Sequence, residues 1–284
     1  MDSFIERSAE FNRRLFAWHR SHYRPMRWRA TRDPYRILVS EIMLQQTQVV
    51  RVRGKYREFI RRFPTVRALA RAPLSDVLSL WFGLGYNRRA KYLRDCAREV
   101  VAKYGGKFPR SREVLLSLPG IGPSTASALR AFAFREDDPI IDTNLRRVLQ
   151  RVFCRSRKVT DRELYTLAQK VMPRGKGREW NYAMLDLAAT TCTARNHSDN
   201  CPMTTLHGPV YEPWRTARLP FRLTRRFARG RALVAIGSIS RGATLSDIRR
   251  SIGDSPYDAR EIISELVRDG LVTQVGKRYQ LSVL

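Results

Sequence analysis

Long apolar runs, a leader pattern, disulfide spacing and internal repeats are all missing from this 284-residue chain. No stretch of roughly 18 residues is apolar enough for a bilayer span, and Met1 to Glu10 is mostly polar and charged, unlike a secretory signal. Cysteine is scarce: the four present, Cys96, Cys154, Cys192 and Cys201, show no framework spacing. A stapled secreted fold is thereby excluded, and an intracellular protein of the cytoplasm or nucleoid, without membrane partners, is expected. Acidic side chains are also in short supply. Against 54 Lys and Arg stand 26 Asp and Glu, a formal charge of +28 in which arginine greatly outnumbers lysine. Such a surface attracts a polyanion over long range and holds it in a sequence-independent, salt-sensitive way. An arginine-rich background composition accounts for part of such an excess, and charge by itself does not separate DNA from RNA.

The length suits one large or two modest domains with a sizeable core. Apolar periodicity predicts helices almost everywhere up to about residue 206, so the class expected is mainly α. Phe11, Leu15, Phe16 and Trp18 mark a first amphipathic segment that stops before Pro25. Asp33-Pro34 reads as N-cap and first residue of a helix over 35–50. Further helices are expected over 52–62, 74–81, 88–104, 112–118, 124–134, 144–153, 161–171 and 180–191. After Cys201 the composition shifts, and Pro202, Pro209, Pro213 and Pro220 with Gly208 read as an extended linker.

The division expected is therefore a helical domain over 1–207, a linker over 208–228 and a small α+β domain over 229–284. In the last, helices near 231–239, 245–251 and 257–269 precede strands over 271–275 and 279–281, an order that resembles a winged helix. Its third helix carries Asp258, Glu261, Glu265 and Asp269 against Arg260 and Arg268, a poor balance for entering a major groove. DNA contact from this domain falls instead to Lys277 and Arg278 on the wing, or to Arg249 and Arg250. A protein-contacting or structural role is the alternative.

The stretch Leu118-Pro119-Gly120-Ile121-Gly122-Pro123-Ser124-Thr125-Ala126 carries the most information. Gly120 and Gly122 suit the positive φ angles of a tight reversal between helices, and Pro123 suits the first position of the second helix. Unpaired N–H groups and the helix dipole favour an anion there, which makes Gly120, Gly122 and Thr125 candidates to hold a DNA phosphate. A plain helix–helix connection uses the same residues. Asp142 follows sixteen residues after Ala126, behind Pro139-Ile140-Ile141 and ahead of an apolar-periodic helix whose dipole favours its anion. Glu41 has Ile37, Leu38 and Leu44 at helical spacing, so it emerges on or beside an apolar stripe, where burial favours the protonated acid. Two carboxyl groups pushed in opposite directions make an acid and an anionic stabiliser, the pair that cleavage of a sugar–base bond requires. A solvated glutamate and a plain aspartate N-cap are the bland alternatives.

Ser40-Glu41-Ile42-Met43-Leu44-Gln45-Gln46-Thr47-Gln48-Val49, Gly83-Leu84-Gly85-Tyr86, the 118–126 turn and Asp142-Thr143-Asn144 closely resemble the adenine DNA glycosylases of the MutY type, within the helix-hairpin-helix glycosylase superfamily. The resemblance covers about residues 8–207. It implies a two-lobed helical domain with duplex DNA, carrying a mispair or oxidised base, in the cleft between lobes. It also implies that Glu41 protonates adenine and Asp142 stabilises the sugar cation. Gln46, Thr47, Leu84 and Tyr86 match positions that contact or wedge beside the base opposite the target. Trp28 and Asn144 match positions lining the adenine pocket, and Ser124 stands where the related endonuclease III has its Schiff-base lysine. The activity implied is a monofunctional, monomeric glycosylase in base excision repair, acting on adenine opposite 8-oxoguanine or guanine. A thymine or uracil glycosylase acting opposite guanine, or a non-catalytic DNA-binding regulator, are the alternatives.

Three departures from that family follow. Its iron-sulfur loop has four cysteines separated by six, two and five residues, whereas this chain offers Cys192, Ser198, Cys201 and His207, with one residue fewer in the first gap. Two thiolates make an incomplete 4Fe-4S ligand set, and His197 and His207 with Cys192 and Cys201 would suit zinc instead. No cofactor is expected. The family's usual C-terminal domain, which helps recognise 8-oxoguanine, is replaced by the winged-helix-like segment, and Thr143 stands where glycine is usual.

Overall fold

Thr65, Asp142, Thr160, Thr224, Thr244 and Asp258 each stand in extended conformation at a helix start and accept a backbone N–H from the first turn. Short oxygen side chains do this because the first N–H groups of a helix have no partner within it. The computed structural model describes residues 2–154, 157, 159–193, 200–208 and 220–283. Among the described residues the helices are α1 (Asp2–His22), α2 (Pro34–Leu44), α3 (Val49–Arg62), α4 (Val66–Arg71), α5 (Leu74–Trp81), α6 (Arg88–Tyr104), α7 (Arg112–Ser117), α8 (Pro123–Phe132), α9 (Thr143–Leu149), α10 (Asp161–Val171), α11 (Gly177–Thr190), α12 (Arg225–Ser238), α13 (Leu245–Ile252) and α14 (Ala259–Arg268). The strands are β1 (Ala243–Thr244), β2 (Val272–Val275) and β3 (Arg278–Leu281), so the mainly α class with one small sheet holds. None of these helices is long and apolar enough to cross a membrane.

Several bounds differ from those the periodicity suggests. The helix over 35–50 is two helices, because α2 stops at Leu44 and Gln46 takes φ 51° before α3 starts. The helix over 144–153 is α9 followed by a wider π turn over Gln150–Cys154. α12 begins at Arg225, inside the stretch read as linker, because Thr224 caps it; residues 209–219 of that stretch lie outside the described residues. A short strand, β1, was not anticipated; it pairs antiparallel with β3, which pairs with β2, giving the order β1-β3-β2.

The chain forms two compact units. The first comprises Met1–Ile37, Arg110–Ser117 and Ile121–Arg215. Phe11, Leu15, Phe132, Leu164 and Trp180 lie in its core, and Asp186 and Asp138 are buried hubs for its arginines. The second comprises Leu38–Pro109, Leu118–Gly120 and Thr216–Leu284. Its core runs from Phe59, Leu69, Leu78 and Trp81 to Leu233, Ile236 and Leu266 of the C-terminal helices. The C-terminal segment joins α5 through the Leu74 amide, which donates to the Val283 carbonyl at 3.2 Å. At Gly237 of α12 a Cβ would meet Phe82 and Leu281 at 3.1 Å, so the absence of a side chain permits that close approach.

Candidate active site

In the first unit, a buried amide fixes the segment that leads to Asp142. Asn181 Oδ1 accepts from the Ile140 N–H at 2.9 Å, and its Nδ2 donates to the carbonyls of Asp138 and Gly177 at 3.0 and 2.8 Å. One residue on, Ser124 Oγ donates to the Ile141 carbonyl at 2.6 Å. The Asp142 carboxylate then accepts from the Asn144 and Leu145 amides at 2.8 and 2.7 Å and from Asn144 Nδ2 at 3.0 Å. Three N–H groups thus converge on a half-buried carboxylate at the start of α9. Asp142 and Asn144 are brought together as one constellation. Ser124 acts one residue away, on the backbone. Trp28 is buried in a short 3-10 turn, Arg27–Arg29.

In the second unit, Glu41 is half-buried near the end of α2, flanked by the buried Ile42 and Met43. Beyond it, two turns carry the residues matched to opposite-base reading. Gln46, at φ 51°, and Tyr86, at φ 50°, both hold left-handed backbone that costs a side-chain-bearing residue energy. Arg89 supplies the compensation. The residue is 8% exposed, and its guanidinium donates to the carbonyls of Ile42, Met43 and Gln45 at 2.7, 3.1 and 2.5 Å. It also reaches Thr47 Oγ1, the Leu84 carbonyl and the Gly85 carbonyl at 3.0, 3.1 and 2.8 Å. In a continuing helix the carbonyls of Ile42 and Met43 would accept from residues 46 and 47. Arg89 takes those acceptors, which is why α2 stops. Burial pulls the Arg89 pKa down to about 10.

Thr47 Oγ1 sits 3.2 Å from the Leu84 carbonyl, so the turns are also joined directly. Gln46 is exposed and Tyr86 is 39% exposed, whereas Leu84 is 4% exposed and offers its backbone. Sequence reading passed over Arg89, since one arginine among many in so basic a chain gives no local signal.

At the hairpin turn, only one of the two glycines has the expected conformation. Gly120 takes φ 75°, and a Cβ there would stand 2.8 Å from the Tyr92 Cβ. Gly122 is extended, with φ −94° and ψ 179°, because it is the N-cap of α8, a position that uses β-region backbone. No atom lies within 4 Å of where its Cβ would be, so its lack of a side chain leaves open space before the first turn. Pro123 is the first helical residue and Thr125 is buried.

Cys192, Cys201 and His207 form a hydrogen-bonded cluster with Arg151. The Cys201 thiol and His207 both hydrogen-bond to Cys192, and Arg151 Nη1 donates to Cys192 Sγ at 3.2 Å. Donation from Cys201, then from His207 and Arg151, outweighs burial and holds the Cys192 thiol well below its usual range, while the same contact pushes Cys201 up. Among the described residues no group of three His, Cys, Asp or Glu side chains is placed to hold a metal, and Cys192, Cys201 and His207 meet one another through hydrogen bonds. His197 and Ser198 lie outside the described residues. With two thiolates and an arginine at one of them, these residues do not fit a 4Fe-4S cluster.

A family model described as HhH-GPD superfamily base excision DNA repair protein matches residues 39–174. The adenine DNA glycosylase of Mycolicibacterium smegmatis is 34% identical over 276 residues, which span 92% of this chain and 92% of that one. That span reaches past residue 207, so the C-terminal segment has a counterpart in this relative. The thymine-DNA glycosylase of Aeropyrum pernix is 39% identical over 209 residues, 69% of this chain and 92% of that one. A solved structure of a thermostable thymine-DNA glycosylase is similar at a TM-score of 0.68 and 31% identity, over 71% of this chain and 95% of that chain.

Proposed function

The chain belongs to the HhH-GPD superfamily of base excision DNA repair proteins, as a DNA glycosylase of the MutY type, and from that premise we propose that it removes adenine from mispairs with 8-oxoguanine or guanine. The observation that carries this reading is the Asp142 constellation. A carboxylate that already accepts three N–H bonds keeps its place while positive charge develops beside it, so it stabilises an oxocarbenium-like sugar without reorganising. Glu41 gives its proton to the departing adenine as the bond to the sugar carbon breaks and the electron pair leaves with the base. Water then adds to that carbon, its proton passes to a carboxylate, and an abasic site is left. A flipped base meets these groups in duplex DNA bound by one copy of the chain, and phosphate contact falls to the N-terminus of α8 at Gly122.

Ser124 supports hydrolysis over lyase chemistry. A bifunctional enzyme needs an amine to form an imine with the sugar, and at this position stands a hydroxyl already donated to Ile141. The test is single-turnover excision from adenine mispairs by the whole protein and by Glu41→Gln and Asp142→Asn. Each variant is expected to lose roughly 10²–10⁴-fold in rate while retaining duplex binding. Near-normal excision by either defeats the assignment, and efficient borohydride trapping of the wild type on DNA defeats the monofunctional reading.

One observation favours a second reading: the Aeropyrum pernix relative and the solved neighbour are both thymine-DNA glycosylases. Thymine or uracil opposite guanine therefore belongs on the same duplex panel. Faster removal of either than of adenine promotes that reading.

A further inference from the structure

The C-terminal segment reaches the strand-reading turns of its own unit, and it does so with an arginine. Arg226 on α12 lies with its guanidinium carbon 4.7 Å from the centroid of the Tyr86 ring and 4.7 Å from that of Phe221. Arg89 lies over the Tyr86 ring as well, at 5.6 Å, so two guanidinium groups bear on one aromatic ring. Around them runs a groove of about 720 Å³ whose lining includes Gln45, Gln46, Tyr86, Arg226 and Arg268.

The neighbours of Arg226 on α12 are already committed. Arg225 pairs with Glu265 and with Glu261 at 3.3 Å, and Arg229 pairs with Glu265 at 2.7 Å and with Asp269. Arg88 also faces Asp269, at 3.6 Å. These contacts give the acidic residues of the segment's third helix a use: Glu261 and Glu265 of α14 hold α12, and Asp269 just beyond it holds α12 and α6. On the wing, Arg278 donates to the Gly242 carbonyl at 2.9 Å and is likewise used internally. Arg226 has no carboxylate partner among the described residues and is exposed. With rings against it, its polar outlet is the N–H edge of the guanidinium, a fork that matches the two adjacent acceptors of guanine, the 6-carbonyl and N7.

We propose that Arg226 reads the base opposite the excised one, donating to its 6-carbonyl and N7. The inference rests on the reading of Tyr86 and Gln46 as opposite-base residues. Guanine offers both acceptors, whereas 8-oxoguanine carries a hydrogen on N7 and offers only the 6-carbonyl, so the fork favours guanine over 8-oxoguanine as well as over bases without a 6-carbonyl.

The test is binding of the whole protein to duplexes with a tetrahydrofuran abasic analogue opposite guanine or opposite 2-aminopurine, which lacks the 6-carbonyl. Wild type is expected to prefer guanine, and Arg226→Ala to reduce that preference by roughly 5- to 100-fold. Arg226→Lys keeps the charge but lacks the fork, so it is expected to retain most affinity and lose the preference. It also serves should the alanine variant fail to fold. A preference unchanged in both variants overturns the proposal. So does equal weakening on both duplexes, which marks a phosphate contact, or full preference in Arg226→Lys. Binding to an abasic analogue does not depend on which base the enzyme removes, and thymine and uracil mispairs also place guanine opposite. Failure of adenine excision with the preference intact therefore sinks the substrate reading alone, and the reverse result sinks Arg226 alone.

Discussion

Two buried arginines, Arg29 in the first unit and Arg89 in the second, are held by different means. In the first, Arg29 makes a two-pronged pair with Asp186 at 2.7 and 2.8 Å, joined by His19 at 3.2 Å, and Arg112 and Arg130 meet at Asp138. In the second, Arg89 is buried among carbonyls and a hydroxyl, with no carboxylate in its shell. A charge pair locks two side chains to each other, and what it holds is packing between helices. A guanidinium given to carbonyls holds backbone instead, and backbone is what the turns at Gln46 and Tyr86 need in order to keep left-handed residues in place. At Arg89 a buried charge is spent on the shape of the turns matched to strand reading.

The largest effect that would break this comparison is expected at Arg89. Arg89→Met leaves several carbonyls without their donor and removes the strut between the turns. A loss of about 3–5 kcal/mol in urea unfolding is expected, with opposite-strand contacts weakened in any variant that folds. Stability equal to wild type would show that the turns hold themselves.

Asp186→Asn comes next, at about 2–3 kcal/mol, because the amide keeps one acceptor for Arg29, turns a donor toward its other prong and removes its counter-charge. Acid sharpens the contrast. Burial pushes the Asp186 carboxyl up, but hydrogen bonds from His19 and Arg29 outweigh it and hold the group below its ordinary range. Its contribution is therefore full above the unfolded value of about 3.9 and lost as pH falls through the lower folded value. Wild type is expected to lose that contribution in acid, and Asp186→Asn to show a shallower decline below about pH 4. Parallel acid titrations of the two proteins would contradict it.

Smaller effects separate the two hairpin glycines. Gly120→Ala forces a Cβ to within 2.8 Å of Tyr92 at positive φ, and about 1–3 kcal/mol of destabilisation is expected. Gly122→Ala meets open space in an extended conformation, so thermal unfolding should change little while duplex affinity falls. Equal melting shifts would erase the distinction. The smallest effect expected is at the cysteine loop: dialysis against a chelator should leave the melting temperature unchanged. Stoichiometric iron and sulfide in anaerobically purified protein would restore the cluster.

Much of this was legible in the chain because it is local. Asp142 as an N-cap, Pro123 opening α8 and the bounds of α5, α6 and α10 depend on residues a few positions apart. Gly122 was misjudged because two glycines in one turn look alike until the capped helix shows which residue must be extended. The break after Leu44 was hidden because the competitor for its carbonyls lies more than forty residues away, on α6.

By itself the sequence determined the helical class and the family, and it marked Glu41, Asp142 and the turn at Gly120 and Gly122 as candidates, since each is written in spacing along a few turns of chain. The tertiary structure alone decided that Arg89 would shape the turns, that Ser124 would hold Ile141, and that Arg226 would stand over Tyr86. Those facts depend on which distant carbonyls, rings and carboxylates fold within reach of a guanidinium or hydroxyl. Contact of that kind has no signature in the neighbouring residues.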